Sequence, residues 1–403
     1  MSQAPEKAPE KRGALGSLTL LGLGVNGIVG VGIFVAPKSV AAAVPGPRGA
    51  LVYLALAAAC VPVALVYARL SRALPYDGGP ALYAQRAFGA GFAQAIAVLC
   101  WVSALFSTAA VTRALAERLS PAHTSLVAVA ICGALVLVNA RGLSLSAWAW
   151  TLLTALKLAP LLVLAGLGLV TTAQPTVAAP TTPLGPALLA VLFALQGFEI
   201  VPLPAGQAQG GDRAVPRATV GSLLLAGLLY ACVHLACTRA LPLVSDGAIP
   251  AAAGVLGGTR LARAVDVGVL CSIAGIVVGM HAMTPRYLAA VRADVQSAAP
   301  PPWALLPTAA LAAVFSASSS LAELLDLSSV AVLAQYGAAA AALLALSARG
   351  ALGLGWRDAW PVLPSFGVVV VLLLQARPHE LLLAAAVTLG ATLVVRRILH
   401  LAK

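Results

Sequence analysis

Three glycines interrupt a long apolar segment near the start of the chain, in the run Asn26-Gly-Ile-Val-Gly-Val-Gly-Ile-Phe34. Glycine lacks the Cβ atom that disfavours unwound backbone, so the helical hydrogen-bond ladder can open at Gly27, Gly30 and Gly32. An opened ladder offers peptide N–H and C=O groups that bind a polar or charged ligand. The alternative is close packing, because small residues at this spacing let two membrane helices touch.

A second break is predicted in the run Phe193-Ala-Leu-Gln-Gly-Phe-Glu-Ile-Val-Pro-Leu-Pro204. Proline lacks the amide donor and clashes with the preceding turn, and Gly197 weakens the same helix. Glu199 lies beside this break, where its carboxylate either caps exposed amides or relays a proton. We favour the cap, because a carboxylate near free amides is stabilising without any further role.

Lys157 lies about twelve residues into another long apolar segment. At about 1.5 Å per residue it is roughly 18 Å deep, beyond the half-thickness of about 15 Å of the bilayer hydrocarbon. A buried ammonium costs at least about 2.5 kcal/mol, so it must face a polar interior. It serves either as a group that exchanges a proton or as a fixed cation bonded to carbonyls of the broken first helix, and both uses place it against that helix.

The composition indicates whether water or lipid surrounds these residues. Hydrophobic residues make up 61% of the 403-residue chain, charged residues 9%, and the mean hydropathy is +0.97. These values exclude a water-soluble domain and predict an all-α polytopic membrane protein. A transmembrane helix needs about 20 apolar residues, and we predict twelve such spans. Their predicted cores are 15–43, 49–71, 91–116, 123–140, 145–171, 184–205, 218–241, 263–291, 303–319, 321–347, 359–375 and 379–399.

The spacing of the breaks predicts an internal repeat. Gly27 and Gly197 are 170 residues apart, which is the distance expected when five helices are repeated. Five is an odd number, so the second copy is inverted, and secondary transporters bind substrate where the broken helices of two inverted halves meet. The predicted units are a disordered tail over 1–13, a first repeat over 14–172, a second repeat over 184–347, and a last helix pair with a short C-terminus over 359–403.

Positive charges predict the orientation. With the N-terminus inside, sixteen of the 25 Lys and Arg residues fall on the cytoplasmic side and eight on the other, with Lys157 within a span. This bias predicts both termini in the cytoplasm. The richness in Ala, Leu, Gly and Val with few Lys suggests a bacterial genome, and hence a bacterial inner membrane. The net charge of +12 then lies beside anionic lipid headgroups, and no nucleic-acid partner is required to explain it.

Catalytic and metal chemistry are not predicted. The six cysteines lie in apolar segments at spacings that suit neither disulfides nor a zinc site, and the five histidines lie in different segments or at their ends. Lys157 and Glu199 are the charges that we place deep in the bundle. The sequence therefore predicts neither an enzyme nor a bound cofactor or metal.

Together these motifs resemble those of amino acid permeases in the amino acid, polyamine and organocation superfamily. The run 27–34 resembles the first-helix signature, and three further motifs follow in the family's order. These are Pro75-Tyr-Asp-Gly-Gly-Pro-Ala-Leu-Tyr83 after the second helix, Thr154-Ala-Leu-Lys157-Leu-Ala-Pro160 in the fifth, and 193–199 in the sixth. The loop 207–216 keeps Arg213 and Pro216 of the family pattern but lacks the Glu and Asn-Pro before them.

The resemblance implies that the first ten helices form a 5+5 inverted repeat in which helices 1 and 6 are broken. It also implies that amides of the first break hold an amino acid's carboxylate, while carbonyls of both breaks hold its ammonium. Phe193 matches an aromatic residue that closes over the substrate in some members. The predicted substrate-binding residues are Asn26, Gly27, Ile28, Val29, Gly30, Phe193, Ala194, Leu195, Gln196 and Gly197 at the breaks, and Trp101 and Ser272 on the third and eighth helices. The alternatives are a core or lipid-facing position for Phe193, helix packing for Ser272, and an interfacial position for Trp101.

The lysine also predicts the coupling ion. In sodium-driven relatives of this fold a cation site lies between the first and fifth helices, where Lys157 places its ammonium. Lys157 and Glu199 are therefore the predicted ion-coupling residues of a sodium-independent carrier, either proton-coupled or an exchanger. Neutral amino acids are favoured, because the third, eighth and tenth segments have no acidic residue at mid-depth. The alternatives are a cationic amino acid or polyamine exchanger, and a transporter-like sensor or carrier subunit of a membrane complex.

Overall fold

The computed structural model describes residues 16–76, 79–141, 147–172, 181–202, 213–292 and 300–401, and this part of the chain contains helices and turns with no strand. The predicted tail over 1–13 lies outside the described residues, as do Asp77, Gly78 and Pro204. The same holds for residues 207–212 of the loop that departs from the family pattern. The described residues form fourteen α-helices: α1 (Ser17–Ile28), α2 (Gly32–Ala43), α3 (Ala50–Ala73), α4 (Gly79–Phe88), α5 (Ala90–Leu119), α6 (Thr124–Ala140), α7 (Ala147–Val170), α8 (Leu184–Leu195), α9 (Ala214–Ala240), α10 (Ala248–Ala289), α11 (Pro302–Ser318), α12 (Leu321–Ala348), α13 (Val362–Leu373) and α14 (Pro378–Leu401).

Both predicted helix breaks are confirmed. The helices α1 and α2 are separated by Val29, Gly30 and Val31 and are bent by 55° relative to each other. At the second break α8 ends at Leu195, and Gly197 adopts a left-handed conformation with φ of +119°. Only glycine enters that region without a steric penalty, which explains why the helix stops there.

The helix lengths fit a polytopic membrane protein. Within the described residues seven helices are long and apolar enough to cross a bilayer, and the bent pair of α1 and α2 is an eighth candidate. Four shorter apolar helical stretches accompany them over Ala155–Val170, Leu184–Ile200, Pro302–Ser318 and Val362–Leu373. Large aliphatic side chains such as Leu126 and Leu363 are exposed on the outer helices, as expected where hydrocarbon is the solvent.

Two helical stretches differ from the sequence prediction. The helix α4 forms in a segment predicted to be a loop, and it buries Tyr83 and Ala87 against the bundle. The helix α10 begins at Ala248, well before the predicted core at 263, and kinks at Gly258, where φ is +75°. A search for runs of about 20 apolar residues overlooks both stretches, because each is about ten residues long.

The packing places the two broken spans side by side. The helix α2 packs on α8, α3 on α9, α5 on α10 and α12, α6 on α11, and α7 on α9 and α10. A Cβ atom on Gly32 would collide with the Cα and Cβ of Ala194, so α2 and α8 are in backbone contact. Glycine therefore has a packing role at Gly32, in addition to the break that begins three residues earlier.

Candidate functional site

The two breaks meet at a pair of glycines. A Cβ atom on Gly197 would lie 2.6 Å from the carbonyl oxygen of Gly27, and one on Gly27 would lie 2.5 Å from Cδ1 of Ile200. Neither position has room for a side chain without a shift of its neighbour. The structure thus brings the predicted residues 26–30 and 194–197 together at one place.

Lys157 of α7 donates hydrogen bonds to the first break. Its Nζ atom donates to the carbonyl oxygens of Asn26 at 3.0 Å and Val29 at 2.6 Å. The side chain is 4% exposed, and no described carboxylate lies within ion-pair distance of it. The charge is therefore balanced by peptide dipoles at the C-terminal end of the half-helix α1, which carry partial negative charge. The expectation that Lys157 lies against the broken first helix is confirmed.

Tyr230 of α9 joins the two breaks, and sequence reasoning missed it. Its hydroxyl group lies 2.8 Å from the carbonyl oxygen of Ile28 and 3.0 Å from that of Ala194, so one hydrogen serves an acceptor on each broken helix. The ring is buried. A single tyrosine in an otherwise aliphatic stretch of helix was the available signal, because a buried phenol normally finds a hydrogen-bond partner.

Ser272 of α10 lies on a helix face that runs past Lys157 and the first break. One turn before it, a Cβ atom on Gly268 would lie 3.6 Å from the Cα of Lys157, and one turn after it Ile276 reaches within 3.0 Å of the Cβ position of Gly30. Residues four apart share a helix face, which directs Ser272 toward the same space. Its hydroxyl is buried and has no hydrogen-bond partner among the described residues. A buried unpaired hydroxyl beside broken backbone is available to a ligand.

Glu199 is engaged at the second break. Its Oε2 atom accepts a hydrogen bond from the Gly197 amide at 2.9 Å and from the Tyr336 hydroxyl at 3.1 Å. Tyr336, a second residue that sequence reasoning missed, also packs its ring on Phe198. This geometry is that of a carboxylate that caps a freed amide, which is the role favoured from the sequence.

Gln196 turns away from the first break and toward α12. Its side-chain oxygen accepts from the hydroxyl of Ser328 at 3.2 Å, and its amide nitrogen lies 3.5 Å from the hydroxyl of Ser329. Ser328 in turn shares a hydrogen bond of 2.6 Å with Ser107 of α5. The second break is thus tied to two neighbouring helices through hydroxyl groups.

The two predicted aromatic residues lie in different places. Phe193 is buried in a small cluster with Ala109 and Ala110 of α5 and Leu324 and Leu325 of α12. It lies two residues before the end of α8, so this cluster covers the second break from one side.

Trp101 belongs to another core cluster, which contains residues of α5, α10, α11 and α12 but none from α1, α2 or α8. Its indole N–H donates to the hydroxyl of Thr308 on α11 at 2.9 Å. The structure does not bring Trp101 to the breaks. Its indole N–H instead joins α5 to α11.

In the part of the chain that the structure describes, no group of three or more His, Cys, Asp or Glu side chains has an arrangement that could hold a metal ion. The six cysteines are free thiols.

The chain matches known transporters along most of its length. The family model of the amino acid permeases matches residues 15–294. The serine/threonine exchanger SteT of Bacillus subtilis (strain 168) is 26% identical over 296 residues, which are 68% of this chain and 66% of that protein. An uncharacterized transporter of Mycobacterium tuberculosis (strain ATCC 25618 / H37Rv) is 28% identical over 428 aligned positions, covering 98% of this chain and 94% of its own.

A solved structure shares the fold. Mhp1, a nucleobase-cation-symport-1 family transporter in a closed conformation with bromovinylhydantoin bound, superimposes with a TM-score of 0.60 at 15% identity. The match covers 98% of this chain and 96% of that one. At this identity the likeness concerns the arrangement of helices and carries no information on the ligand.

Proposed function

Because this chain belongs to the amino acid permease family and is a transporter rather than an enzyme, we propose that it carries neutral amino acids across the membrane without sodium, coupled to protons or to exchange. The observation that carries the proposal is the position of Lys157, whose ammonium holds the freed carbonyls of Asn26 and Val29.

Sodium independence follows from electrostatics. Unwound carbonyls of a broken helix are the groups that coordinate Na⁺ in many transporters. Here two of those carbonyls are occupied by a cation that is part of the protein. A second cation at the same oxygens would lie within a few ångströms of the ammonium in a medium of low dielectric, where like charges repel strongly. Movement of Lys157 or loss of its proton would take the place of ion binding during the transport cycle.

A zwitterion fits the junction of the breaks. The helix α1 extends through Ile28, and the Val29 amide donates to the carbonyl of Val25, so the amides that suit a carboxylate are those from Gly30 onward at the start of α2. The carbonyls beyond Ala194 and Leu195 suit an ammonium. Ser272 offers an unpaired hydroxyl beside the first break. A neutral side chain is favoured because Glu199, the charged group at the second break, is already used by Gly197 and Tyr336. The similarity to a serine/threonine exchanger agrees with a small neutral substrate.

The predicted architecture remains part of the proposal. With the four shorter apolar helices, the candidate spans of the described residues number twelve. Four helices of the proposed first repeat (14–172) pack on their counterparts in the second (184–347): α2 on α8, α3 on α9, α5 on α10, and α6 on α11. The helix α7 packs instead on α9 and α10. Pairing of equivalent helices is what a two-fold axis in the membrane plane produces, which supports the inverted repeat.

The exposure of the break supports one direction of opening. Gly27 is exposed and Asn26 half-buried, whereas Val29 and Gly30 beyond them are buried and Phe193 covers the other side. The junction is therefore less covered along α1 than on the side of Phe193. With the N-terminus in the cytoplasm, as the positive charges predict, an opening along α1 would correspond to the inward-facing state of an alternating-access cycle.

Transport by the purified protein in liposomes tests the proposal. We expect uptake of radiolabelled serine, threonine or alanine that is unchanged when Na⁺ is replaced by choline, and that responds either to a pH gradient or to an amino acid loaded inside. Strict dependence on Na⁺ would overturn the coupling, and competition by arginine or putrescine but not by neutral amino acids would overturn the substrate class. Binding of amino acids without any transport would favour a sensor or a carrier subunit.

A further inference from the structure

Two carboxyl groups meet in a buried position where the N-terminal parts of α12 and α14 pack together. Glu380 is fully buried, Asp326 is 9% exposed, and the two carboxyl groups are close enough to share a hydrogen bond. An ionised carboxylate has no hydrogen to donate, so such a bond requires a proton on one of the two groups. Two carboxylates that share a site cannot both ionise at ordinary cost.

The cap of α14 does not account for this arrangement. Glu380 lies in the first turn of α14, and its Oε2 atom accepts the backbone amide of Arg377 at 2.9 Å, as a capping residue does. Its other oxygen, Oε1, is buried and receives no N–H or hydroxyl donor from the described residues. A proton on the Asp326 carboxyl supplies the donor that is otherwise missing.

The charged groups around the pair neutralise one negative charge and not two. The Nε atom of Arg377 lies 3.9 Å from Oε1 of Glu380, and the Nε2 atom of His379 lies 4.0 Å from it. Both of these side chains are more than half exposed, so they also give the pair a route to water. Glu323, on the first turn of α12, adds negative charge.

The helix α5 also packs on α12 and carries charged groups at this end of the bundle. Arg113 is bonded to Glu117 and to the carbonyl of Ser316, so its charge is already used.

We propose that Asp326 and Glu380 form a proton-binding site that holds α12 against α14, and that loss of the shared proton loosens the N-terminal part of α12. The two residues directly before Asp326, Leu324 and Leu325, pack on Phe193 over the second break. Loss of the proton would therefore also loosen the cluster around Phe193, which covers the candidate substrate site. The effect of this proton on transport rests on the proposed function, in which this end of the bundle faces the outside. The existence of the proton site does not depend on the proposed function.

Carbodiimide labelling tests the site without requiring transport. Dicyclohexylcarbodiimide adds to protonated carboxyl groups in apolar surroundings and spares ionised ones. We expect an adduct on the peptide that carries Asp326 or Glu380 near pH 7, with less of it as the pH rises, and no adduct on Asp246, which is 83% exposed and paired with Lys38. Absence of an adduct on both residues at every pH would overturn the proposal.

A matched pair of variants tests the link to α12. Asp326→Asn keeps a donor to Glu380 at every pH, so its melting temperature in detergent should rise relative to wild type, by about 2 °C, as the pH increases through the loss of the shared proton. Asp246→Asn removes a carboxylate in the connection between α9 and α10 and should follow the wild-type pH profile. Parallel profiles of wild type and Asp326→Asn would overturn the coupling. A protein that is labelled at the pair but moves no amino acid would contradict the proposed function and leave the proton site standing.

Discussion

The Nζ atom of Lys157 lies 2.6 Å from the carbonyl oxygen of Val29, a residue 128 positions away at the centre of a broken helix. The carbonyl was freed because the chain unwinds after Ile28, and the ammonium is tolerated at this depth because freed carbonyls receive it. The unwound backbone and the buried ammonium therefore stabilise each other. The same contact makes Lys157 the group whose movement would alter the first break.

Lys157→Met should strongly reduce the rate of transport. The substitution leaves the carbonyls of Asn26 and Val29 without a donor, and hydrogen bonds to charged groups are worth about 1.5–3 kcal/mol each. We expect the initial rate of uptake into liposomes to fall at least about tenfold, since about 1.4 kcal/mol corresponds to a factor of ten. Lys38→Met, which removes an exposed lysine paired with Asp246, should retain the wild-type rate. Equal rates for both variants would contradict the role of Lys157.

Tyr230→Phe should weaken substrate binding while the protein stays folded. The variant keeps the ring but leaves the carbonyls of Ile28 and Ala194 without their shared donor, at a cost of about 1–3 kcal/mol if they stay buried. We expect a rise in the apparent KM for the amino acid of about tenfold. Tyr76→Phe is the matched control, because Tyr76 is 43% exposed, whereas Tyr230 is buried. An unchanged KM in Tyr230→Phe would show that the Tyr230 hydroxyl does not contribute to substrate binding.

Glu199→Gln should leave the pH dependence of transport unchanged. The amide oxygen of glutamine still accepts from the Gly197 amide or the Tyr336 hydroxyl, so the cap is weakened but not lost. We expect a lower melting temperature and a transport profile against pH that is parallel to that of the wild type. A flattened profile would show instead that Glu199 carries a coupling proton.

Gly32→Ala should destabilise the protein through packing. The added methyl group meets the backbone of Ala194 at the contact between α2 and α8. Overpacking of this kind costs about 1–3 kcal/mol, and a thermal unfolding curve in detergent should shift down accordingly. Gly22→Ala in α1 has open space and should stabilise the helix by up to about 1 kcal/mol. A stable Gly32→Ala protein would mean that α2 and α8 separate easily.

The positions of the breaks were predictable, because Gly30 and Gly197 lie between helical segments and act through their own backbone geometry. Gly27 lies inside α1 and instead makes room for close packing against Ile200. Lys157 was predictable for a related reason: the cost of a charge in hydrocarbon requires polar backbone nearby, and the first break supplies it. Glu199 was placed beside the second break by its sequence position. These inferences depend on single residues and on distance along the chain.

The partners of these groups were not predictable in the same way. Tyr230, Tyr336 and the pairing of Asp326 with Glu380 depend on which faces of distant helices meet. Trp101 shows the reverse error, since its depth suited a substrate wall but its indole N–H faces Thr308 on α11. Helix rotation within a bundle is set by the packing of many small residues at once, and a chain so rich in alanine, leucine and glycine has weak facial patterns.

The sequence by itself determined that the chain lies in a membrane, where its helices must break, and that a lysine must find polar backbone, because each follows from local chemistry in a solvent without water. Only the tertiary structure decided which side chains reach the freed groups. A carbonyl released at a break accepts from any donor within reach. At the first break the donors Lys157 and Tyr230 lie more than a hundred residues away along the chain, on helices whose rotation is set by packing.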